Sequence, residues 1–186
     1  MGHKAVFLDR DGTLIEEVGY LSRIEEFRLL PRVSDAIRLL NDHRLKAIVI
    51  TNQSGVARGY FPESFVRVIH RNLEDLLENE GAHLDGIYYC PHHPDEQCEC
   101  RKPAAGLVKK AALDLDLNCL QSYVVGDRGI DIELAHGVGA KGILVLTGYG
   151  KGEREEIERE RKAKPHYVAR DLYEAVEWIL REESLL

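Results

Sequence analysis

The chain has 186 residues, of which 44% are hydrophobic and 31% are charged, and its formal net charge is -7. This size predicts one domain, spanning residues 1–186, around a single core. The negative charge excludes a general nucleic-acid binder, because such proteins need a basic surface, and no apolar run approaches the roughly 20 residues of a membrane span.

Short β-rich runs alternate with helical patterns along the chain. Strands are predicted at residues 4–8, 46–50, 86–89, 122–125, 142–146 and 166–168. Apolar residues recur at helical spacing between them, as in Val33, Ile37 and Leu40, and in Phe65, Ile69, Leu73 and Leu76. Asp171 and Glu174 predict a capping box at the start of the last helix, and the charged run at 152–164 is typical of a solvated helix. The alternation predicts an α/β fold of the three-layer αβα, Rossmann-like type, with a parallel sheet between two helical layers.

Polar residues follow four of the predicted strands. The first strand leads to "DRDGT" at 9–13, the second to "TNQSG" at 51–55, the third to "CPHHPDEQCECRKP" at 90–103 and the fourth to "GDRGID" at 126–131. In an open α/β sheet, ligands bind at the carboxyl ends of the strands. We therefore expect paired carboxylates, a hydroxyl, a lysine and a further aspartate to meet at one edge, which indicates phosphoryl transfer.

The residue types suit that chemistry. A carboxylate can attack phosphorus to form an aspartyl-phosphate, and a second carboxyl can protonate the leaving oxygen and later deprotonate water. Mg²⁺ favours carboxylate and carbonyl oxygens, and Lys102 would neutralise the charge of the transferred phosphoryl group. Each pattern alone is also typical of turns and helix caps, but their order and their places after strands favour a phosphatase.

Three cysteines and two histidines lie in the segment 90–103, named the cysteine loop below. Cys90, His92, Cys98 and Cys100 form the pattern C-x-H-x5-C-x-C, which predicts a closed, structural zinc site. His93 is a competing ligand, and a redox pair of Cys98 and Cys100 is the alternative. The predicted zinc would order the loop and place Arg101 and Lys102. Cys119 is expected in the core.

These segments carry a family resemblance. "FLDRDGTL", "VITNQSG", "RKP" and "VVGDRGID" resemble the four ordered motifs of the haloacid dehalogenase superfamily, and their spacing is similar to that of its capless members. "GYL" at 19–21, "NQSGVARGYF" at 52–61, "DGIYYCPHHP" at 85–94 and "CRKP" at 100–103 are similar to D-glycero-D-manno-heptose 1,7-bisphosphate 7-phosphatases. The resemblance implies a Mg²⁺-dependent phosphoric monoester hydrolase that removes the C7 phosphate in ADP-heptose or GDP-heptose precursor synthesis, for glycans such as lipopolysaccharide.

The resemblance also implies roles for individual residues. Asp9 would be the nucleophile and Asp11 the general acid/base, and Thr51 and Lys102 would hold the phosphoryl group. Mg²⁺ would be bound by Asp9, Asp127 and the backbone carbonyl of Asp11, and Zn²⁺ by Cys90, His92, Cys98 and Cys100. Substrate contacts are implied for Glu17, Val18, Gly19, Tyr20, Asn52, Gln53, Ser54, Arg101 and Arg128, and Arg58 is a further cation that we expect to face a second phosphate. The family often has Lys at the position of Arg128.

Other functions remain open on the sequence alone. Histidinol-phosphate phosphatases share the cysteine loop but usually differ after "TNQ", and another small sugar-phosphate phosphatase is possible. A zinc-bearing phosphosugar-binding protein without turnover is an alternative of another class. The presence of both Asp9 and Asp11 favours an enzyme, because a binding protein does not need two carboxylates there. We expect a cytoplasmic monomer that acts on a small sugar bisphosphate, with no nucleic-acid or membrane partner.

Overall fold

A six-stranded parallel sheet forms the middle layer of the protein, whose computed structural model describes residues 2–160 and 163–186. The strands are β1 (Ala5–Leu8), β2 (Lys46–Asn52), β3 (Gly86–Cys90), β4 (Tyr123–Gly126), β5 (Lys141–Val145) and β6 (Tyr167–Ala169). Their order in the sheet is β3-β2-β1-β4-β5-β6, and every pairing is parallel. The predicted strands agree with these bounds to within two residues at each end.

Helices cover both faces of the sheet, so the predicted αβα fold is confirmed. They are α1 (Val33–Asp42), α2 (Glu63–Asn79), α3 (Gly106–Leu115), α4 (Gly129–Val138), α5 (Gly150–Glu160) and α6 (Leu172–Glu182). Val6 and Leu8 of β1 pack with α1, α2 and α6, whereas Ala5 and Phe7 pack with α3 and α4 on the opposite face. This alternation follows from the two-residue period of a strand that is buried on both faces. In the described part of the chain, no helix has the length and hydrophobicity needed to cross a membrane.

Two local expectations need correction, and a third lies partly outside the described residues. Leu77 is fully buried in α2, whereas the predicted Leu76 is 37% exposed, because the buried stripe continues from Leu73 by four residues rather than three. At α6, Asp171 Oδ1 accepts from the Glu174 amide at 2.9 Å, but Glu174 accepts from the Arg170 amide rather than from Asp171. The charged run forms α5 up to Glu160; residues 161 and 162 of that run lie outside the described residues.

The strand order determines where a ligand can bind. The chain proceeds outward from β1 through β2 to β3 on one side, and from β4 to β6 on the other. Loops that leave β1 and β4 therefore diverge to opposite faces of the sheet, and a crevice opens between them at the carboxyl edge. The loops after β1, β2, β3 and β4 carry the polar segments identified in the sequence.

Candidate active site

A cavity of about 220 Å³ opens at the carboxyl edge of the sheet. Its lining includes most of the predicted site residues, namely Asp9, Asp11, Glu17, Gly19, Tyr20, Thr51, Asn52, Gln53, Ser54, Arg101, Lys102 and Arg128. Asp127 lies directly beneath it and is fully buried. Val18 and Arg58 are not part of the lining: Val18 is exposed, and the Arg58 guanidinium lies 5.9 Å from the ring of Tyr20.

Lys102 bridges two carboxylates at the base of the cavity. Its Nζ donates to Asp9 Oδ1 and to Asp131 Oδ1, each at 2.7 Å, and all three side chains are buried. Burial raises the pKa of Asp9 to about 7, although Lys102 acts in the opposite direction. Burial alone would lower the pKa of Lys102, but Asp131 and Asp9 together raise it above its usual value. Lys102 therefore stays a cation beside the candidate nucleophile.

Asp127 begins the loop after β4. Its Oδ2 accepts from the Tyr149 amide at 2.8 Å, while its Oδ1 is buried and has no hydrogen-bond partner in the part of the chain that the structure describes. Burial raises the pKa of this carboxyl to about 8, and the nearby charge of Asp9 adds to the effect. Gly12 and Gly148 approach the same side chain closely: a Cβ at either position would lie 2.2 Å or 2.1 Å from Oδ2, and both residues have positive φ.

Carboxylate oxygens of Asp9, Asp127 and Asp131 lie within 4.8 Å of one another. An all-oxygen donor set with an unpaired buried carboxylate oxygen fits Mg²⁺, which prefers hard oxygen ligands. This set includes two predicted ligands, Asp9 and Asp127. The third predicted ligand atom was the backbone carbonyl of Asp11, whereas Asp131 was not assigned. The signal for Asp131 was present, since it is the last residue of the "GDRGID" segment.

Asp11 is held by a hydrogen-bonded network at the side of the cavity. Its Oδ1 accepts from Arg10 Nη2 at 2.9 Å and its Oδ2 accepts from Gln53 Nε2 at 2.8 Å. Gln53 Nε2 also donates to Thr51 Oγ1 at 2.9 Å. Gln53 was predicted to contact substrate. Both ends of its side-chain amide are hydrogen-bonded within the protein, since Oε1 also accepts from Arg10 Nη2 at 2.9 Å.

Two arginines line the cavity. Arg101 Nη1 is buried and has no hydrogen-bond partner among the described residues. Arg128 lies between the ring of Tyr149, 4.9 Å from its centroid, and Glu153, whose Oε1 is 3.4 Å from Arg128 Nε. Tyr149 and Glu153 were not identified from the sequence, because they lie in a segment that carries no phosphatase signal.

The outer rim is formed by the loop after β1. Glu17 accepts from the Gly19 amide, and burial raises the pKa of its carboxyl. The ring of Tyr20 packs edge to face on Tyr60, with centroids 4.7 Å apart. These contacts connect the rim to the loop after β2 and place Glu17 and Tyr20 at the cavity mouth.

The cysteine loop brings its four predicted ligands together. Cys90 Sγ lies 3.5 Å from His92 Nδ1 and 3.4 Å from Cys98 Sγ, and Cys100 Sγ lies 3.1 Å and 3.5 Å from the same two partners respectively. Ligand atoms of a tetrahedral zinc site are separated by about 3.3–3.8 Å, given Zn–S of about 2.3 Å. Three of the four separations lie in this range, and the one between His92 Nδ1 and Cys100 Sγ is slightly shorter. The set therefore fits Zn²⁺, and none of the four cysteines is in a disulfide.

The competing ligand and the fourth cysteine lie elsewhere. His93 Nδ1 accepts from the Asp95 amide at 3.3 Å and caps a short 3-10 helix, Pro94–Glu96. Cys119 is half-buried and packs against the core layer beside α3 and α4. The geometry therefore favours His92 over His93 as the imidazole ligand.

Proteins of known family resemble this chain in sequence. A family model described as HAD-hydrolase-like matches residues 99–175. The chain is 42% identical over 190 residues to the D-glycero-D-manno-heptose-1,7-bisphosphate 7-phosphatase of Thermosynechococcus vestitus, with 96% of each chain covered. It is 41% identical to the D-glycero-beta-D-manno-heptose-1,7-bisphosphate 7-phosphatase of Haemophilus ducreyi, covering 96% of this chain and 100% of the relative.

Solved structures agree with the sequence relatives. The D,D-heptose 1,7-bisphosphate phosphatase of B. bronchiseptica, in complex with magnesium and phosphate, is similar with a TM-score of 0.88 and 32% identity over 96% of this chain and 99% of that one. The corresponding phosphatase of Burkholderia thailandensis is similar with a TM-score of 0.72 and 26% identity, over 95% and 98% of the two chains.

Proposed function

Because the chain belongs to the D-glycero-D-manno-heptose-1,7-bisphosphate 7-phosphatase family, we propose that it binds a heptose 1,7-bisphosphate in this cavity and hydrolyses the C7 phosphate ester. It is a phosphoric monoester hydrolase whose substrate is a small sugar bisphosphate. The observation that carries the proposal is the contact of Lys102 with Asp9 in a buried cluster of carboxylates, at the base of a cavity that also contains an unpaired arginine.

Asp9 is the proposed nucleophile. Attack of its free carboxylate oxygen on phosphorus forms an aspartyl-phosphate and breaks the bond from phosphorus to the sugar oxygen. Water then attacks the same phosphorus, releases inorganic phosphate and restores Asp9. Lys102 holds Asp9 through Oδ1, so one carboxylate oxygen is oriented and the other is left for the reaction.

Asp11 is the proposed general acid/base. In the first step it gives its proton to the departing sugar oxygen, and in the second it takes a proton from the attacking water. Its carboxylate is fixed on both oxygens by Arg10 and Gln53. Each oxygen keeps a second lone pair, so these contacts orient the group without blocking proton transfer.

Charge on the phosphoryl group is offset by cations at the base of the site. Mg²⁺ would be held by Asp9, Asp127 and the backbone carbonyl of Asp11, and when bound it supplies electrostatic stabilisation of the phosphoryl oxygens. Asp131, whose two oxygens accept from Lys102 Nζ and from the Arg128 amide, holds the lysine. Lys102 adds a fixed positive charge next to the nucleophile, and the Thr51 hydroxyl lies on the same edge of the sheet. Such a preformed arrangement costs little reorganisation as the transition state develops.

The phosphate at the far end of the substrate requires separate recognition. Arg101 and Arg128 line the cavity, and a guanidinium can bind two phosphate oxygens at once. We propose that Arg101 binds this second phosphate, because its Nη1 is buried with no partner within the described residues.

Zn²⁺ held by the cysteine loop has a structural role in this proposal. The four ligands leave no open coordination position for substrate. Arg101 and Lys102 directly follow Cys100 in the chain, so a rigid loop fixes both cations at the cavity.

The proposal is tested by phosphate release from purified enzyme with Mg²⁺. The substrates are both anomers of D-glycero-D-manno-heptose 1,7-bisphosphate, histidinol phosphate and fructose 1,6-bisphosphate. We expect the highest kcat/KM for a heptose bisphosphate, with release from C7. A higher kcat/KM for histidinol phosphate or fructose 1,6-bisphosphate would reject it.

A further inference from the structure

A buried charged network links α2 to the candidate general acid. Arg10 is 2% exposed and His70 is 7% exposed. Arg10 Nη1 lies 3.3 Å from His70 Nε2, while Nη2 donates to Asp11 Oδ1 and to Gln53 Oε1, each at 2.9 Å. His70 is thus connected to Asp11 through a single side chain.

The roles of donor and acceptor in this network are determined by chemistry. A guanidinium carries only donors, so His70 Nε2 must accept and the imidazole must be neutral. Burial, followed by the charge of Arg10, lowers the pKa of His70 to about 3. The ring also packs edge to face on Tyr89, with centroids 5.3 Å apart. His70 is therefore a rigid neutral acceptor and not a proton carrier.

Arg10 has a limited set of contacts that define its orientation. Its Nε is buried with no hydrogen-bond partner among residues 2–160 and 163–186, so within this part of the chain the guanidinium is oriented through Nη1 and Nη2. Nη2 is the end that holds Asp11, and Nη1 is the end that His70 accepts from. Without the acceptor on α2, nothing among the described hydrogen bonds holds Nη1, and the plane of the guanidinium can rotate away from Asp11.

We propose that His70 is a positioning residue for Asp11: acting through Arg10, it orients the carboxyl that protonates the leaving oxygen. The inference rests on the proposed role of Asp11 as general acid. Neither His70 nor α2 touches the substrate in this proposal. The effect is confined to the geometry of proton delivery, since the contacts of Asp9 with Lys102 do not involve the network.

This role makes a distinctive kinetic prediction. Phenolate, with a pKa near 10 like that of tyrosine, leaves poorly unless it is protonated. p-Nitrophenolate is a weaker base because the nitro group withdraws charge, and it leaves with little help from an acid. In the step that releases the leaving group, a misplaced general acid should therefore slow phenyl phosphate much more than p-nitrophenyl phosphate, whereas damage to the nucleophile slows both equally.

The test compares His70→Leu with His70→Gln, because only glutamine can accept from Arg10. In His70→Leu we expect kcat/KM for phenyl phosphate to fall by roughly 10–100-fold, given that misplacement of order 1 Å can cost 10²-fold, and kcat/KM for p-nitrophenyl phosphate to fall by no more than about 3-fold. kcat/KM is the measure because it excludes hydrolysis of the aspartyl-phosphate, in which Asp11 serves both substrates alike. His70→Gln should recover most of the phenyl phosphate activity. Circular dichroism would check that both variants fold.

If His70→Leu does not fold, His70→Phe takes its place, since phenylalanine keeps an aromatic ring against Tyr89 and cannot accept from Arg10. Equal losses on both substrates, no loss on phenyl phosphate, or no recovery in His70→Gln would overturn the inference. Asp11→Asn separates this failure from that of the proposed mechanism. If Asp11→Asn itself shows no dependence on the leaving group, the general-acid role is wrong; if it does and His70→Leu does not, only the inference about His70 is wrong.

Discussion

Asn52 and Lys102 exchange two hydrogen bonds: the Lys102 amide donates to Asn52 Oδ1 at 3.0 Å, and Asn52 Nδ2 donates to the Lys102 carbonyl at 3.2 Å. The last residue of β2 thereby fixes the backbone of the lysine that contacts Asp9. Asn52 was predicted to bind substrate; it lines the cavity, and both polar atoms of its side-chain amide bond the Lys102 backbone. A matching pair lies at the edge of the sheet where the strands begin: the His83 amide donates to Asn41 Oδ1 at 2.9 Å, and Asn41 Nδ2 donates to the His83 carbonyl at 3.1 Å.

Asn52→Ala should lower kcat by roughly 10–100-fold, because Lys102 loses the support that positions its ammonium. Asn41→Ala is the matched control: it removes the same type of exchange and should cost a similar stability, about 1–3 kcal/mol, with unchanged kcat. Steady-state kinetics and urea unfolding of both variants are the measurements. A raised KM with normal kcat in Asn52→Ala would indicate a substrate contact after all.

The two carboxylates of the first loop should differ in their mutant kinetics. Asp9→Asn removes the nucleophile, so turnover should be undetectable while the fold is retained. Asp11→Asn should slow turnover by roughly 10²–10⁴-fold, the usual loss for a general acid/base. Phosphate release and far-UV circular dichroism test both. Normal turnover by Asp9→Asn would exclude the covalent mechanism.

Loss of a cysteine ligand should affect zinc, stability and activity together. Cys98→Ala should lower the bound zinc from one ion per chain and reduce the melting temperature, because structural zinc contributes on the order of 10–16 kcal/mol of apparent binding energy. Activity should fall because Arg101 and Lys102 are no longer held. Cys119→Ala, outside the cluster, should keep its zinc and its activity. Metal analysis that finds no zinc in wild-type protein purified without chelator would contradict the prediction.

Removal of Arg101 should change specificity. Arg101→Ala should reduce kcat/KM for the heptose bisphosphate by roughly 10–150-fold, the rate equivalent of about 1.5–3 kcal/mol for a charged hydrogen bond. Hydrolysis of p-nitrophenyl phosphate, which has no second phosphate, should change much less. Arg58→Ala is the comparison, since Arg58 lies outside the cavity lining. Equal losses on both substrates, with zinc retained, would assign Arg101 to loop support.

The buried imidazole of His70 should contribute to acid destabilisation. Its pKa is about 3 in the folded protein, against a normal value of 6.5. The unfolded chain therefore binds a proton that the folded protein does not, and the stability from the neutral ring is complete above about pH 6.5 and is lost as pH falls, by at most about 1.4 kcal/mol per unit. Urea unfolding between about pH 4.5 and pH 7 should show a shallower loss in His70→Gln than in wild type. A wild-type slope in His70→Gln would refute the assignment.

The strands and the meeting of distant loops could be predicted from the sequence because both follow local rules. β-rich runs alternate with amphipathic helices, and parallel strands deliver their carboxyl ends to one edge. Asp9, Thr51, Lys102 and Asp127 are all placed by this rule. The single domain, the monomeric state and the cytoplasmic location stay predictions.

The hydrogen-bond partners of the site residues could not be predicted, because they depend on where side chains from distant elements point in the folded protein. Gln53 and Asn52 sit beside the site in sequence, yet their amides bond to Arg10 and to the Lys102 backbone. Arg10 lies between the two expected catalytic aspartates in the sequence. Arginines are mostly exposed, but this one is buried and contacts His70 of α2. A carboxylate in the first turn of a helix is typical of a cap, and Asp131 does accept from the Arg128 amide at 3.2 Å; its contact with Lys102 depends on the fold and has no local signal.

Gly12 and Gly148 have no reactive side chain, yet their close contact with Asp127 affects how the protein tolerates substitution at these positions. Each has a positive φ, 77° and 51° respectively, and each would direct a methyl group into the carboxylate. Every other amino acid is thus disfavoured twice, by backbone conformation and by collision with the group below. In a saturation library selected for activity, both positions should be as intolerant as Asp9 itself. The tolerance of each position to substitution therefore cannot by itself separate catalytic or metal-binding residues from glycines that only leave space for them.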